Sequence, residues 1–109
     1  MRGARRKLVV FVTTGSKKEA RAIAETLVDR KLAACASVVG VVDSLYRWQG
    51  KVQRSREALL MIKTTTRTYA ELERRVKALH SYEVPEIIAL PISDGLPAYL
   101  AWLDRETGK

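Results

Sequence analysis

One cysteine, one histidine and one phenylalanine occur among 109 residues, and the scarcity of the first two removes whole classes of chemistry. Cys35 alone cannot form an internal disulfide. Its place in the run Leu32-Ala-Ala-Cys-Ala reads as a packed thiol in a reducing, cytoplasmic setting. With His80 alone, no imidazoles and thiols stand at ligand spacing, so a pre-formed zinc site within one chain is not expected. A cysteine–histidine pair would have to join residues far apart in sequence, so no catalytic residue is assigned and an enzyme is not expected. Glycine is too sparse around Gly15-Ser16 for a phosphate loop. Behind the basic start Met1-Arg-Gly-Ala-Arg-Arg-Lys7, only Leu8 to Val12 are apolar before Thr13-Thr14-Gly15 intervenes. That run is too short for an export core, and no other approaches a membrane span.

Acidic residues are also few: twelve against twenty Lys and Arg, a formal charge of +8. Four of the twenty bases fall in the first seven positions, so residues 1–6 read as a flexible basic tail ahead of a single domain, 7–109. Most others alternate with acids, as in Glu71-Leu-Glu73-Arg74-Arg75-Val-Lys77. Arg47, Lys51, Arg54 and Arg56, with Lys63 further on, outnumber nearby acids and read as a solvated face. RNA recognition on a small sheet needs stacking aromatics on the central strands. The strand reaching Ile62 has none, so nucleic acid is not an expected partner.

What is present is periodicity. Lys7 to Thr13 reads as a central strand. Ser16-Lys-Lys-Glu19 forms a capping box ahead of Ala20, Ile23, Ala24, Leu27 and Val28 at helical spacing. From Ala33 to Thr65 helix signals vanish. Two long antiparallel strands are expected there, with Gly40 as a bulge and Gly50 in the turn. Thr68-Tyr-Ala-Glu71 reads as a second capping box before Tyr69, Leu72, Val76 and Leu79 on one face. Ile87 to Ile92 follows as an edge strand containing Pro91. Pro97 opens a final helix turning Leu96, Tyr99, Leu100 and Leu103 inward. The order is α+β, a ferredoxin-like β-α-β-β-α-β sandwich with an extended central hairpin and a C-terminal helix.

Middle strands of about 15 residues span roughly 50 Å at about 3.3 Å each. Helices of about 14 residues span roughly 21 Å. The hairpin therefore outruns its covering helices and bares Tyr46 and Trp48, and self-association is expected.

The segment His80-Ser-Tyr-Glu-Val-Pro-Glu-Ile87 joins the second helix to the last strand, a place where a rigid frame holds functional groups. His80 is either a ligand at a weak subunit-joint metal site, with carboxylates such as Glu57 and Glu86, or a helix-terminal histidine facing free carbonyls. Tyr46 and Trp48 share a strand face. Glu57 and Lys63 interrupt or bound an apolar strand, and Trp102 reads as core or interface.

Together, Leu32-Ala-Ala-Cys-Ala, Ser44-Leu-Tyr-Arg-Trp-Gln-Gly-Lys51, Glu57, Lys63-Thr64-Thr65, Val76-Lys-Ala-Leu-His80, Tyr82, Val84-Pro-Glu-Ile87 and Tyr99-Leu-Ala-Trp102 resemble the CutA divalent-cation-tolerance family. The resemblance runs from Leu8 to Leu103. It implies a homotrimer with a plan similar to PII nitrogen-regulatory proteins, linked to copper tolerance and binding Cu2+ or Zn2+ weakly, without an organic cofactor. It places Ser44, Tyr46, Trp48, Lys63, Tyr82 and Trp102 in clefts between subunits, with His80, Glu57 and Glu86 for metal. Where the family usually has proline this chain has Ser81, which implies a looser segment. Val12 stands where some members have a copper-binding cysteine, leaving His80 with oxygen partners. The alternative is a PII-like signalling or scaffold module taking a small anionic metabolite or a partner peptide.

Overall fold

The computed structural model describes residues 6–108. The expected tail lies outside them except for Arg6, whose amide donates to Thr66 Oγ1 at 3.1 Å. The elements run β1 (Lys7–Thr14), α1 (Lys17–Asp29), β2 (Cys35–Trp48), β3 (Lys51–Thr65), α2 (Thr66–Leu79), β4 (Ile87–Pro91) and α3 (Pro97–Arg105). One four-stranded antiparallel sheet forms in the order β2-β3-β1-β4, with β4 at an edge as Pro91 requires.

Alternation along the strands gives the sheet two unequal faces. Val10, Val12, Leu60 and Ile62 are fully buried, packed in one core with Ile23 and Leu27 of α1 and Leu72 and Val76 of α2. The opposite face carries the intervening residues. Across the ladder, Ile88 pairs with Phe11 and Phe11 with Met61, while Leu90 pairs with Val9. Ile88 is 49 % exposed and Leu90 44 %. At one end of this face α3 brings Tyr99 over Lys63, with the ammonium 5.9 Å from the ring centre.

The central hairpin turns through Gln49 and Gly50 with φ of 51° and 80°, the two positive angles that a tight turn matched to strand twist demands. Its strands have 14 and 15 residues against 13 and 14 in the main helices. The longest dimension of the molecule is 43 Å, short of the extended-chain figure because strands twist and β2 is bulged. The tip overhangs as expected, leaving Tyr46 44 % and Trp48 45 % exposed.

The bulge lies between Val38 and Gly40, where the register shifts and Gly40 takes φ of 121°. It also inverts side-chain parity. Before it, odd-numbered Cys35 and Ser37 share the helix-free face with Lys63 and Met61. After it, even-numbered Val42, Ser44 and Tyr46 stand there opposite Glu57, Ser55 and Gln53.

Four expectations need correction. Thr68 does not cap α2, which starts at Thr66 after Thr65. Instead its buried hydroxyl meets Thr64 Oγ1 at 2.8 Å and Leu32 O at 3.2 Å, a tertiary pairing that outcompetes a cap. Val28 and Leu79, expected on the inward stripes of their helices, are exposed. Of the residues expected to turn inward from α3, Leu103 is buried, whereas Leu96 and Tyr99 are exposed. Cys35 is half-buried, with Sγ between Tyr99 Oη at 3.7 Å and Lys63 Nζ at 3.8 Å.

Gly40→Ala should lower stability by about 1–3 kcal/mol through backbone strain alone, because a Cβ there meets nothing within 4 Å. Gly15→Ala, with ordinary contacts at 3.7 Å, should change it little. Urea unfolding of both variants checks this, and equal losses would contradict it.

Candidate functional site

At the hairpin end of the helix-free face lies a pocket of about 600 Å³. Tyr46, Trp48 and Tyr82 supply its aromatic walls, and Glu57, Glu83 and Glu86 its charged groups. Thr13, Ser44, Leu45 and Val84 complete the lining, which contains no lysine or arginine.

Each wall follows from local structure. Tyr46 and Trp48 are two apart on β2, hence neighbours on one face, and the Tyr46 hydroxyl accepts from Ser55 at 3.3 Å. Glu57 is buried beneath Tyr82, whose hydroxyl donates to its Oε2 at 2.8 Å. Burial, then the hydrogen bond and charge of Glu57, push the Tyr82 hydroxyl well above the ordinary tyrosine range, so it remains a donor. Glu86 stands just before β4, with Oε1 accepting from Thr13 Oγ1 at 3.5 Å.

His80 is at the C-cap of α2, buried, with both ring nitrogens engaged. Nε2 lies 2.7 Å from Thr13 O, and Nδ1 accepts from the Tyr82 amide at 3.0 Å. That pattern requires the proton on Nε2. The carbonyl that His80 meets belongs to β1 rather than to its own helix. The ring therefore fixes Tyr82 from behind and is not among the residues lining the pocket. Among the described residues, no three His, Cys, Asp or Glu side chains converge on a position that could hold a metal ion.

Glu19 ties the segment from the other side. The Ser16 hydroxyl accepts from the Glu19 amide at 3.1 Å, one half of the expected capping box. The other half is missing, because the carboxylate turns to different donors: the Gly15 amide at 3.3 Å, the Ser81 amide at 2.8 Å and the Ser81 hydroxyl at 3.1 Å. Ser81 is thereby tied to α1 through its amide and hydroxyl. Proline there would lack the amide and hydroxyl that hold Glu19.

The structure thus brings together Ser44, Tyr46, Trp48, Glu57, Tyr82 and Glu86. It places Lys63 and Trp102 elsewhere, in a group at α3 where Tyr99 lies 5.6 Å from Trp102. Sequence reasoning missed Thr13, Leu45, Glu83 and Val84 as lining and Glu19 as an anchor. Glu83 and Val84 were within reach, since they fall inside the marked 80–87 segment.

Residues 8–106 match the family model described as CutA1 divalent ion tolerance protein. The chain is 52 % identical over 100 residues to the divalent-cation tolerance protein CutA of Thermus thermophilus, covering 92 % of this chain and 97 % of that protein. It is 44 % identical to the chloroplastic protein CutA of Arabidopsis thaliana, covering 92 % of this chain and 55 % of that one. The chain therefore spans about half the length of the plant relative and nearly all of the bacterial one. Among solved structures, the Thermus thermophilus protein superposes with a TM-score of 0.92 at 51 % identity, covering 94 % and 99 % of the two chains. The periplasmic CutA of Archaeoglobus fulgidus gives 0.88 at 37 % identity, covering 92 % and 97 %.

For Glu19, burial alone would raise the carboxyl pKa, but the Ser81 and Gly15 hydrogen bonds outweigh it and hold the group below its ordinary 4.5. A depressed folded-state value contributes stability above the unfolded pKa and loses it as pH falls through the folded one. Glu19→Gln should therefore flatten the loss of stability below about pH 4.5. Urea midpoints between neutral and acid pH measure this, and an unchanged acid limb would contradict it.

Proposed function

The chain belongs to the CutA1 divalent ion tolerance family, and from that premise we propose that it binds divalent cations of the Cu2+ or Zn2+ type, weakly, at clefts between subunits of a homotrimer. The observation carrying this reading is a reversal of charge: a chain of formal charge +8 lines its pocket with three glutamates and no base. Oxygen donors suit hard and borderline divalent ions, and Glu57 and Glu86 are the proposed ligands. One chain offers too few donors, so a neighbouring subunit completes the set. Support for the trimer comes from the uncovered apolar face of the sheet and the overhanging Tyr46 and Trp48.

His80 enters this reading as a positioning residue. To reach a metal it would have to surrender a bond to Thr13 or Tyr82, whereas in place it fixes the wall above Glu57. We assign no catalytic residue. Relatives are described as chloroplastic and periplasmic, and we place this chain in the cytoplasm on its single unpaired cysteine.

A small anionic ligand is disfavoured at this site. Lys63 lies with Cys35 and Tyr99, and Arg56 pairs with Asp43 at 3.7 Å on the exposed surface.

Calorimetric titration with Cu2+ and Zn2+ tests the proposal. Exposed Glu86→Gln should weaken binding by at least about tenfold, and His80→Ala by less. Absence of binding by the unaltered protein, or identical titrations of Glu86→Gln and wild type, would overturn it.

A further inference from the structure

The pocket is much larger than a metal ion needs. Oxygen ligands sit about 2.0–2.6 Å from Mg2+ or Ca2+, so a bare cation occupies a small corner of about 600 Å³. Pockets of that volume ordinarily take an organic molecule. The lining says which kind. Its three ionisable carboxylates, Glu57, Glu83 and Glu86, select positive charge. Beside them stand Tyr46 and Trp48, partly exposed on one strand face, whose rings attract cations and cover apolar groups. Tyr82 forms the opposing wall, fixed at its amide by His80 and at its hydroxyl by Glu57.

Carboxylates alone would suit a metal, and aromatic rings alone an uncharged apolar ligand. Their combination suits a cation attached to a hydrophobic body. We infer that the pocket receives an organic ammonium compound, its positive head against Glu57 and Glu86 and its apolar body against Tyr46 and Trp48. This shares with the metal reading the premise that the pocket admits cations, but requires no metal. An amine also makes fewer demands on geometry than a divalent ion. It needs a nearby carboxylate and a ring face rather than a closed donor set, and the described residues offer the former within a single chain.

The test is calorimetric titration of the assembled protein in excess EDTA with 2-phenylethylamine, 2-phenylethanol and phenylacetate, which share a ring and differ in charge. The amine should bind saturably, and the alcohol and the acid at least about tenfold more weakly. Trp48→Ala should weaken the amine by about tenfold, and Trp48→Phe should restore much of that loss. Trp48 lies outside the core of the single chain, so both variants should fold, and sedimentation showing the wild-type assembly keeps the test valid even if Glu57→Gln fails to fold. Where Glu57→Gln folds, it should weaken the amine but not the alcohol.

Equal binding of amine and alcohol, preference for the acid, no saturation by the amine, or Trp48→Ala matching wild type would each overturn the inference. EDTA separates the two readings. Amine binding without any metal binding defeats only the metal proposal, whereas metal binding with no response to the amine defeats only this one.

Discussion

A sheet whose two main helices share one side, with only the short α3 at one end of the other, must find a further cover, and that requirement organises the molecule. Both main helices pack against Val10, Val12, Leu60 and Ile62 in one buried core. The opposite rows through Phe11, Met61 and Ile88, and through Val9 and Leu90, have α3 at one end and the pocket at the other. Burying apolar area contributes about 25 cal/mol per Å², so such a surface is a standing drive toward association. The pocket lies on the same side, and whatever covers the sheet therefore also shapes the site.

Within one chain, the site depends on two devices outside the pocket lining. Gly40 inserts one extra residue into β2 and so changes which side chains face away from the helices. Without that insertion, the alternation from Cys35 would send Ser44, Tyr46 and Trp48 to the other side. The second device is the polar knot behind the pocket. Glu19, at the start of α1, holds Ser81, while His80 links the end of β1 to the Tyr82 backbone. Between them they bring the 80–86 segment over Glu57, joining two helices and two strands at one point.

Much of this is legible in the sequence. Local chemistry announced the Ser16 cap, the Gly50 turn and the edge position of Pro91, because each is settled by residues adjacent in sequence. The Gly40 bulge was also readable as an interruption of a β-branched run. Its effect on Tyr46 and Trp48 needed the register, which depends on the partner strand. The failures share that cause. Thr68 could cap a helix or satisfy Leu32 O, and only tertiary packing decides between them. Glu19 looked like half of a capping box, but its best donors lie 62 residues away. For His80 the sequence left a weak metal site and a helix-terminal contact with carbonyls side by side. Its ring is turned to a carbonyl from β1, a strand that periodicity could not place beside it.

Sedimentation equilibrium of the purified protein at low concentration probes the uncovered face most directly. The account predicts a single folded species of three times the 12.2 kDa chain mass. A stable, fully folded 12.2 kDa particle under those conditions would contradict it, since an exposed sheet face and overhanging hairpin would then be tolerated alone.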